Sequence, residues 1–533
     1  MPERRIRGRV ASPGLAHGPV RVWSAQHPRR ARLSPATEAS HLRQAIRSAV
    51  AQLESLAADH PGDAAQMLQF QIALLLDDTL AAPAYETIAQ GSMAAAAWSD
   101  VLDAEIAGYE GSSDDYFGAR ASDLCDLKWR VLRGLGGEAA AGEIEPGCVL
   151  FAEDLPPSAF LSLDWSRGGA IVLGAGSSAS HLAMLARSRG VPMIVGTGTP
   201  APPEGEALVD ADKGIVVLQP EAVTRDAFLP REHAAREARS LAENAIQERA
   251  VTRDGTAIEV LLNVTDVREL EHLSPRACDG VGLVRSEFLF GGSSLPDEEQ
   301  QYRAYTRILR WAQGRPVTIR TLDAGGDKQI AGLSTGNESN PALGLRGVRL
   351  SLAYPEVLRV QLRALARAAT HGTLRIMVPM VTVPHELARV RAMLDEELAK
   401  LAAHQIAAVR PPVGMMVEVP AAALTVEQFD ADFFSIGSND LVQYTTAAAR
   451  DLGSVADLAQ AMHPAVLELV SRVVSRCAAR GREVSVCGDA AAEPPVLREL
   501  LARGVRTVSV APAAIATTKA AVREIDLLSS AQG

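Results

Sequence analysis

Two periodicities divide this chain. Apolar positions recur at helical spacing, with Gly and Pro largely kept to the joints, over residues 35–58, 64–76, 85–91, 94–109 and 114–135, which predicts five helices. Short apolar runs bounded by Pro/Gly turns mark strands instead: within 6–22, around the turn Ser12-Pro13-Gly14, and again at 148–151, 170–173, 193–195, 207–209 and 215–217. The simplest arrangement is one discontinuous α/β domain, residues 1–22 and 142–222, with an all-α subdomain, residues 23–141, inserted into it. A charged, Ala-rich helical linker follows at 223–250. From 251 to 533 strand and helix alternate, with strands predicted at 258–263, 281–284, 317–321, 374–379, 413–418, 433–436, 484–487 and 507–510. About eight such units fit a (β/α)8 TIM barrel.

Composition narrows the function classes. At 533 residues, 47% hydrophobic and 22% charged, the chain has the makings of several globular domains. A net charge of -11, with no basic block interleaved with aromatics, argues against nucleic acid. No run approaches the ~18 apolar residues of a membrane helix, and the N-terminus MPERRIRGRVASPG lacks a signal-peptide core. A cytoplasmic protein without membrane insertion is expected. The five cysteines form no CxxC pair, so free thiols are expected rather than a disulfide framework or a zinc site.

The chemistry concentrates in two places. In GAGSSASHLAMLARSRGVPMIVG, residues 174–196, a small-residue loop leads to His181 and then to a short apolar helix ending near Gly190. That puts His181 in the first helical turn, where unpaired N–H groups and the helix dipole favour an anion such as a phosphoryl group. Taken alone, a histidine after a Ser-rich loop is more often an ordinary surface or capping residue. The second place is the set of strand ends in the barrel: Asn263, Arg285, Arg320 with Asp323, Glu418, Asn439 with Asp440, and Cys487. A barrel gathers such ends on one face. Arg285, Arg320, Arg346 and Arg450, with Lys328, suit a compact polyanion, while Glu418 and Asp440 offer hard oxygens to a divalent cation. Together they point to phosphoryl transfer.

The segments VGLVRSEFLFGG, TIRTLDAGGDKQI, NPALGLRGVRL, VGMMVEVPAAA, FFSIGSNDLVQYTTAAAR and VCGDAAAEP, with the N-terminal VASPGLAHGPV and the helical DDYFGARASDLCDLKWRVLRGL, resemble enzyme I of the bacterial phosphoenolpyruvate-dependent sugar phosphotransferase system. The resemblance implies a swivelling α/β phosphohistidine domain carrying the helical insert, and a phosphoenolpyruvate-binding, dimer-forming barrel. It implies that Arg285, Arg320 and Arg346 bind phosphate and carboxylate, with Lys328, Arg450 and Asn439 nearby. Glu418 and Asp440 become ligands of Mg2+ (or Mn2+), Cys487 the acid that protonates the enolate, and His181 the phosphorylated residue. The implied partners are phosphoenolpyruvate and pyruvate, the phosphocarrier protein HPr docked on the helical insert, and a second copy of the chain. The insert, without catalytic residues of its own, is expected to be removable without loss of autophosphorylation, and the N-terminal half to swivel about the linker. Two departures stand out: Ser178 and Ala179 replace the Arg-Thr usual before the reactive histidine, and Asp489 replaces the glutamate usual after Cys487-Gly488.

Overall fold

The computed structural model describes residues 3–23, 33–59, 63–110, 115–136, 145–165, 167–176, 181–198, 205–290, 295–325, 330, 332–333, 338, 340–449, 455 and 458–530. Two compact units meet in the sequence at Glu237/Ala238.

The first unit is built on eight strands, β1 (Arg4–Arg7), β2 (Arg9–Ser12), β3 (Leu15–Val22), β4 (Val149–Ala152), β5 (Ala170–Leu173), β6 (Met193–Val195), β7 (Glu206–Asp210) and β8 (Ile215–Leu218), in the spatial order β1-β8-β7-β3-β4-β5-β6-β2. The central strands β3 to β6 are parallel to one another, while β3 is antiparallel to β7 and β6 to β2. β4, β5 and β6 are buried along their whole length, as unbroken apolar runs should be when both faces of a sheet are covered. Side chains alternate between two cores. Val149, Phe151, Val172 and Ile194 face one, while Leu150, Ile171, Leu173, Met193 and Val195 face the other.

That second core contains the helices α1 (Pro35–Asp59), α2 (Asp63–Leu76), α3 (Asp78–Ala89), α4 (Ala94–Glu110) and α5 (Asp115–Gly136), which contribute Leu42, Leu53, Trp98, Leu102, Leu127 and Val131. Helices and sheet therefore share one core. α3 also begins seven residues before the predicted start at 85: Pro83 lies inside the helix, and the Asp77 carboxylate caps its start by accepting from the Thr79 N–H at 2.9 Å. After α6 (Pro157–Leu161) and α7 (His181–Arg189), helix α8 (Ala222–Asn244) leaves the unit. Its first half belongs with the sheet: Phe228 packs on Leu208 and Val217, and Arg231 pairs with Asp210 at 2.9 Å. The helix stops at Asn244, short of the predicted 250, and Ala250–Val251 forms a short strand, β9.

In the second unit β10 (Ala257–Val264), β11 (Val281–Arg285), β12 (Val317–Arg320), β13 (Leu374–Val378), β14 (Val413–Val417), β15 (Phe434–Gly437), β16 (Val484–Cys487) and β17 (Thr507–Val510) pair in parallel in sequence order. The pairs β10 with β17 and β10 with β11 close the barrel. Every predicted strand is present, with each end within one residue. Leu283, Met377, Met416, Phe433 and Cys487 fill part of the interior. Outside lie α9 (Glu298–Ala312), α10 (Val348–Ala353), α11 (Pro355–Ala368), α12 (Pro384–Ala403), α13 (Pro420–Leu424), α14 (Ser438–Thr446) and further helices. α9, α11 and α12 are laced by an ion-pair ladder in which Arg359, Arg363 and Arg367 meet Glu298, Glu299, Glu396 and Glu397. All five cysteines are free. Among the described residues no helix is long and apolar enough to cross a membrane.

Candidate active site

The strand ends of the barrel carry the charged residues to one face. Arg285 ends β11 and is the register partner of Arg320, which ends β12. Glu418 follows β14, Asn439 and Asp440 open α14 directly after β15, and Cys487 ends β16. Arg346 arrives from the loop before α10. Lys328 and Arg450 lie outside the described residues.

Asp323, wholly buried, is the hub. Its Oδ2 forms an ion pair with Arg320 Nη1 at 3.0 Å and accepts from Arg346 Nη2 at 3.1 Å, and its Oδ1 accepts from Arg346 Nε at 3.2 Å. The Asp323 backbone N–H donates to Glu287 Oε1 at 2.7 Å, and Glu287 Oε2 accepts from Arg320 Nη2 at 3.2 Å. Arg346 is also bidentate to Asp440, at 3.0 Å to each oxygen, and donates to Tyr444 Oη at 3.2 Å. Both guanidinium groups are thus held in fixed orientations before any ligand arrives. Arg320 Nε is buried and has no hydrogen-bond partner among the described residues, an unmet donor in the cluster.

Glu418 is 1% exposed, and its Oε1 accepts from the Met380 N–H at 2.6 Å. Met380 adopts φ +56° to present that N–H, a left-handed conformation rare for a side chain of this kind. Close approach also explains two glycines. A Cβ on Gly347 (φ +60°) would stand 2.7 Å from Met380, and one on Gly488 (φ +123°) would stand 2.1 Å from Ser438 Oγ and 2.9 Å from Asn439 Oδ1.

The electrostatics follow from burial and crowding. Burial pushes the Glu418 carboxyl up to about 8, with the charges of Asp440 and Asp323 adding to the effect against Arg320 and Arg346. Burial works against the charge on Arg320, but Glu287, Asp323 and Glu418 outweigh it; for Arg346 the same holds through Asp323 and Asp440, so both remain cations. The Cys487 thiol is pushed up to about 11 by burial and by Glu418, against a hydrogen bond from Ser435 and the charges of Arg320 and Arg285. It therefore keeps its proton at neutral pH. Its Sγ accepts from Ser435 Oγ at 3.4 Å and donates to the Ile436 carbonyl at 3.5 Å.

A divalent cation fits this donor set by charge. Four carboxylates, Glu287, Asp323, Glu418 and Asp440, lie around Arg320 and Arg346, and the charges of Asp440 and Asp323 add to the burial that raises Glu418. Carboxylate oxygens suit Mg2+ or Mn2+. Among the described residues, no three His, Cys, Asp or Glu side chains form a ready-made ligand cluster.

Sequence reasoning missed Glu287, Tyr444, Ser435 and the Met380 backbone. Glu287 stands two residues after the strand-ending Arg285 and Tyr444 four after Asp440, spacings that put each on the face of its flagged neighbour. In the first unit, His181 is the first residue of α7, as its sequence context predicts. Residues 177–180, including Ser177, Ser178 and Ala179, are outside the described set.

Comparison with known proteins agrees with this layout. Residues 239–527 match the PEP-binding domain of PEP-utilising enzymes, residues 7–120 the N-terminal domain and residues 144–214 the mobile domain. The phosphoenolpyruvate-protein phosphotransferase of Bacillus sp. (strain S) is 34% identical over 98% of this chain and 93% of its own length. That of Geobacillus stearothermophilus is 37% identical over 79% and 74%, and that of Latilactobacillus sakei 34% over 92% and 88%. The chain belongs to the family of PEP-utilising enzymes, alongside the phosphoenolpyruvate-protein phosphotransferases it matches over most of its length.

Proposed function

We propose that this chain transfers the phosphoryl group of phosphoenolpyruvate to its own His181 and then to a histidine of an HPr-like phosphocarrier protein, the first step of a sugar phosphotransferase system. The observation that carries the reading is the Asp323-centred cluster, which holds Arg320 and Arg346 oriented at the barrel's C-terminal face, with Arg320 within the electrostatic reach of a protonated thiol. Arg285, Arg320 and Arg346, with Lys328, Asn439 and Arg450, bind the phosphate and carboxylate of the substrate. Glu418 and Asp440 are the residues that would hold Mg2+ or Mn2+. When bound, the cation would neutralise charge on the phosphoryl oxygens.

The bonds balance simply. The P–O bond of phosphoenolpyruvate breaks as a P–N bond to the His181 ring forms, and the enolate left behind takes a proton from Cys487 Sγ at carbon to give pyruvate. The thiolate is reprotonated from solvent between turnovers. His181 and the arginines belong to different units, and in this reading the N-terminal half swivels about the linker between its two transfer steps. In the same reading helices α1–α5 dock the carrier, and the protein acts in the cytoplasm as a homodimer joined through the barrel unit. Incubation with labelled phosphoenolpyruvate and Mg2+ tests the proposal. The label should be acid-labile, base-stable and absent from His181→Ala; acid-stable label in the wild type would overturn it.

A further inference from the structure

A phosphoryl group on an imidazole brings about two negative charges at neutral pH, yet residues 174–181, GAGSSASH, contain no lysine or arginine. The two arginines of α7 sit in its last turn, at Arg187 and Arg189. By helix rise they stand roughly 9 and 12 Å from its start. Both are occupied there: Arg187 Nη1 donates to the Ala11 carbonyl at 2.7 Å, and Arg189 lies over the Phe160 ring.

A different cation reaches the loop. Arg9 in β2 is the register partner of Val195, the last residue of β6. β5 and β6 are parallel, and the chain passes from the end of β5 through the loop to α7. Arg9 and the start of α7 therefore belong to the same end of the sheet, the end where strand-to-helix connections gather ligands. Arg9 Nη2 donates to the Gly176 carbonyl at 3.1 Å. A Cβ on Gly196 would stand 3.5 Å from both Nε and Nη2 of Arg9. The segments on either side of the guanidinium are tied together, Gly196 N–H to Ala175 O at 3.3 Å and Gly198 N–H to Gly174 O at 3.1 Å, so it rests on a braced pair of loops.

We infer that Arg9 supplies the guanidinium that holds the phosphoryl group on His181. Its planar fork suits phosphoryl oxygens, and it brings from a neighbouring strand the charge that the loop itself lacks. The inference rests on the reading of His181 as the phosphoryl acceptor.

The test compares the wild type with Arg9→Ala, Arg9→Lys and the double variant Arg9→Ala/Ser178→Arg. The rate of label transfer from phosphoenolpyruvate to His181 and the lifetime of the label after substrate removal are both read. Arg9→Ala should lose on the order of tenfold in one or both, the effect of one charge-assisted hydrogen bond. Arg9→Lys should recover part of the loss and the Ser178→Arg double variant more. If Arg9→Ala matches a labelled wild type in both readouts, the inference fails while the role of His181 stands. A loss that neither Arg9→Lys nor the double variant restores would assign Arg9 to loop packing alone, which also overturns it. A wild type that takes no label at His181 would instead sink the proposed function.

Discussion

Removing one charge at Asp323 should both destabilise the barrel and weaken phosphoenolpyruvate binding. Asp323 is 0% exposed, accepts two hydrogen bonds from the guanidinium of Arg346 and forms an ion pair with Arg320 at 3.0 Å. Asp323→Asn keeps the shape and one acceptor but removes the charge, leaving two buried arginines with one carboxylate fewer. Breaking a buried ion pair from one side costs about 3–5 kcal/mol, a range that the loss of two charged hydrogen bonds at about 1.5–3 kcal/mol each also reaches. At about 2–4 °C per kcal/mol for a large domain, the barrel's unfolding midpoint should fall by roughly 10 °C. Differential scanning calorimetry reads this directly. Glu524→Gln is the control, because its pair with Arg253 is exposed on both sides and is worth about 1 kcal/mol at most. The KM for phosphoenolpyruvate should rise in Asp323→Asn, since the carboxylate that ties the two arginines together is lost, leaving Arg346 held by Asp440 and Arg320 by Glu287 alone. A variant that melts within about 2 °C of the wild type would refute the hub assignment.

Three further outcomes follow from the same geometry. Glu418→Ala or Asp440→Ala should abolish tight Mn2+ binding, read by electron paramagnetic resonance, and with it metal-dependent turnover; retained binding in both would place the metal elsewhere. Cys487→Ser should slow pyruvate release while leaving phosphoenolpyruvate affinity intact, since a hydroxyl is a poorer acid than the thiol; weakened binding with unchanged saturated turnover would make Cys487 a packing residue. Burial would raise the Glu397 carboxyl, but Lys400, Arg363 and Arg359 outweigh it and hold it down at about 2. Its contribution, about 3 kcal/mol by linkage, is therefore present above the ordinary carboxylate range and lost as pH falls toward 2. Glu397→Gln should lower stability at pH 7 but approach the wild type below about pH 3, as denaturant titrations across pH would show.

The barrel was legible because buried parallel strands read as short apolar runs with turn residues between them, and because a charged residue at the end of such a run has few structural reasons to be there. Arg285, Arg320, Glu418 and Cys487 could each be flagged in that way. The pairing among them could not. Whether Arg346 meets Asp440 depends on a loop from one strand reaching the start of a helix after another, and no local pattern encodes that distance. The Met380 N–H that serves Glu418 is a backbone group in an unusual conformation, invisible to residue type. In the first unit, Pro83 misled the reading of α3 because a proline is normally a helix boundary. The insert's helices have their own periodicity, yet periodicity does not say that their core continues into residues of α6, α7 and one face of the sheet, as it does here.

The central claim is that His181 carries the phosphoryl group, and one peptide decides it. Trypsin cleavage after Arg167 and Arg187 releases residues 168–187, in which His181 is the single histidine. After incubation with phosphoenolpyruvate and Mg2+, mass spectrometry under alkaline conditions should find this peptide with one added phosphoryl group localised to His181. The modification should disappear on brief acid treatment or on addition of an HPr-like carrier. An unmodified 168–187 peptide in a protein that nonetheless converts phosphoenolpyruvate to pyruvate would contradict the account.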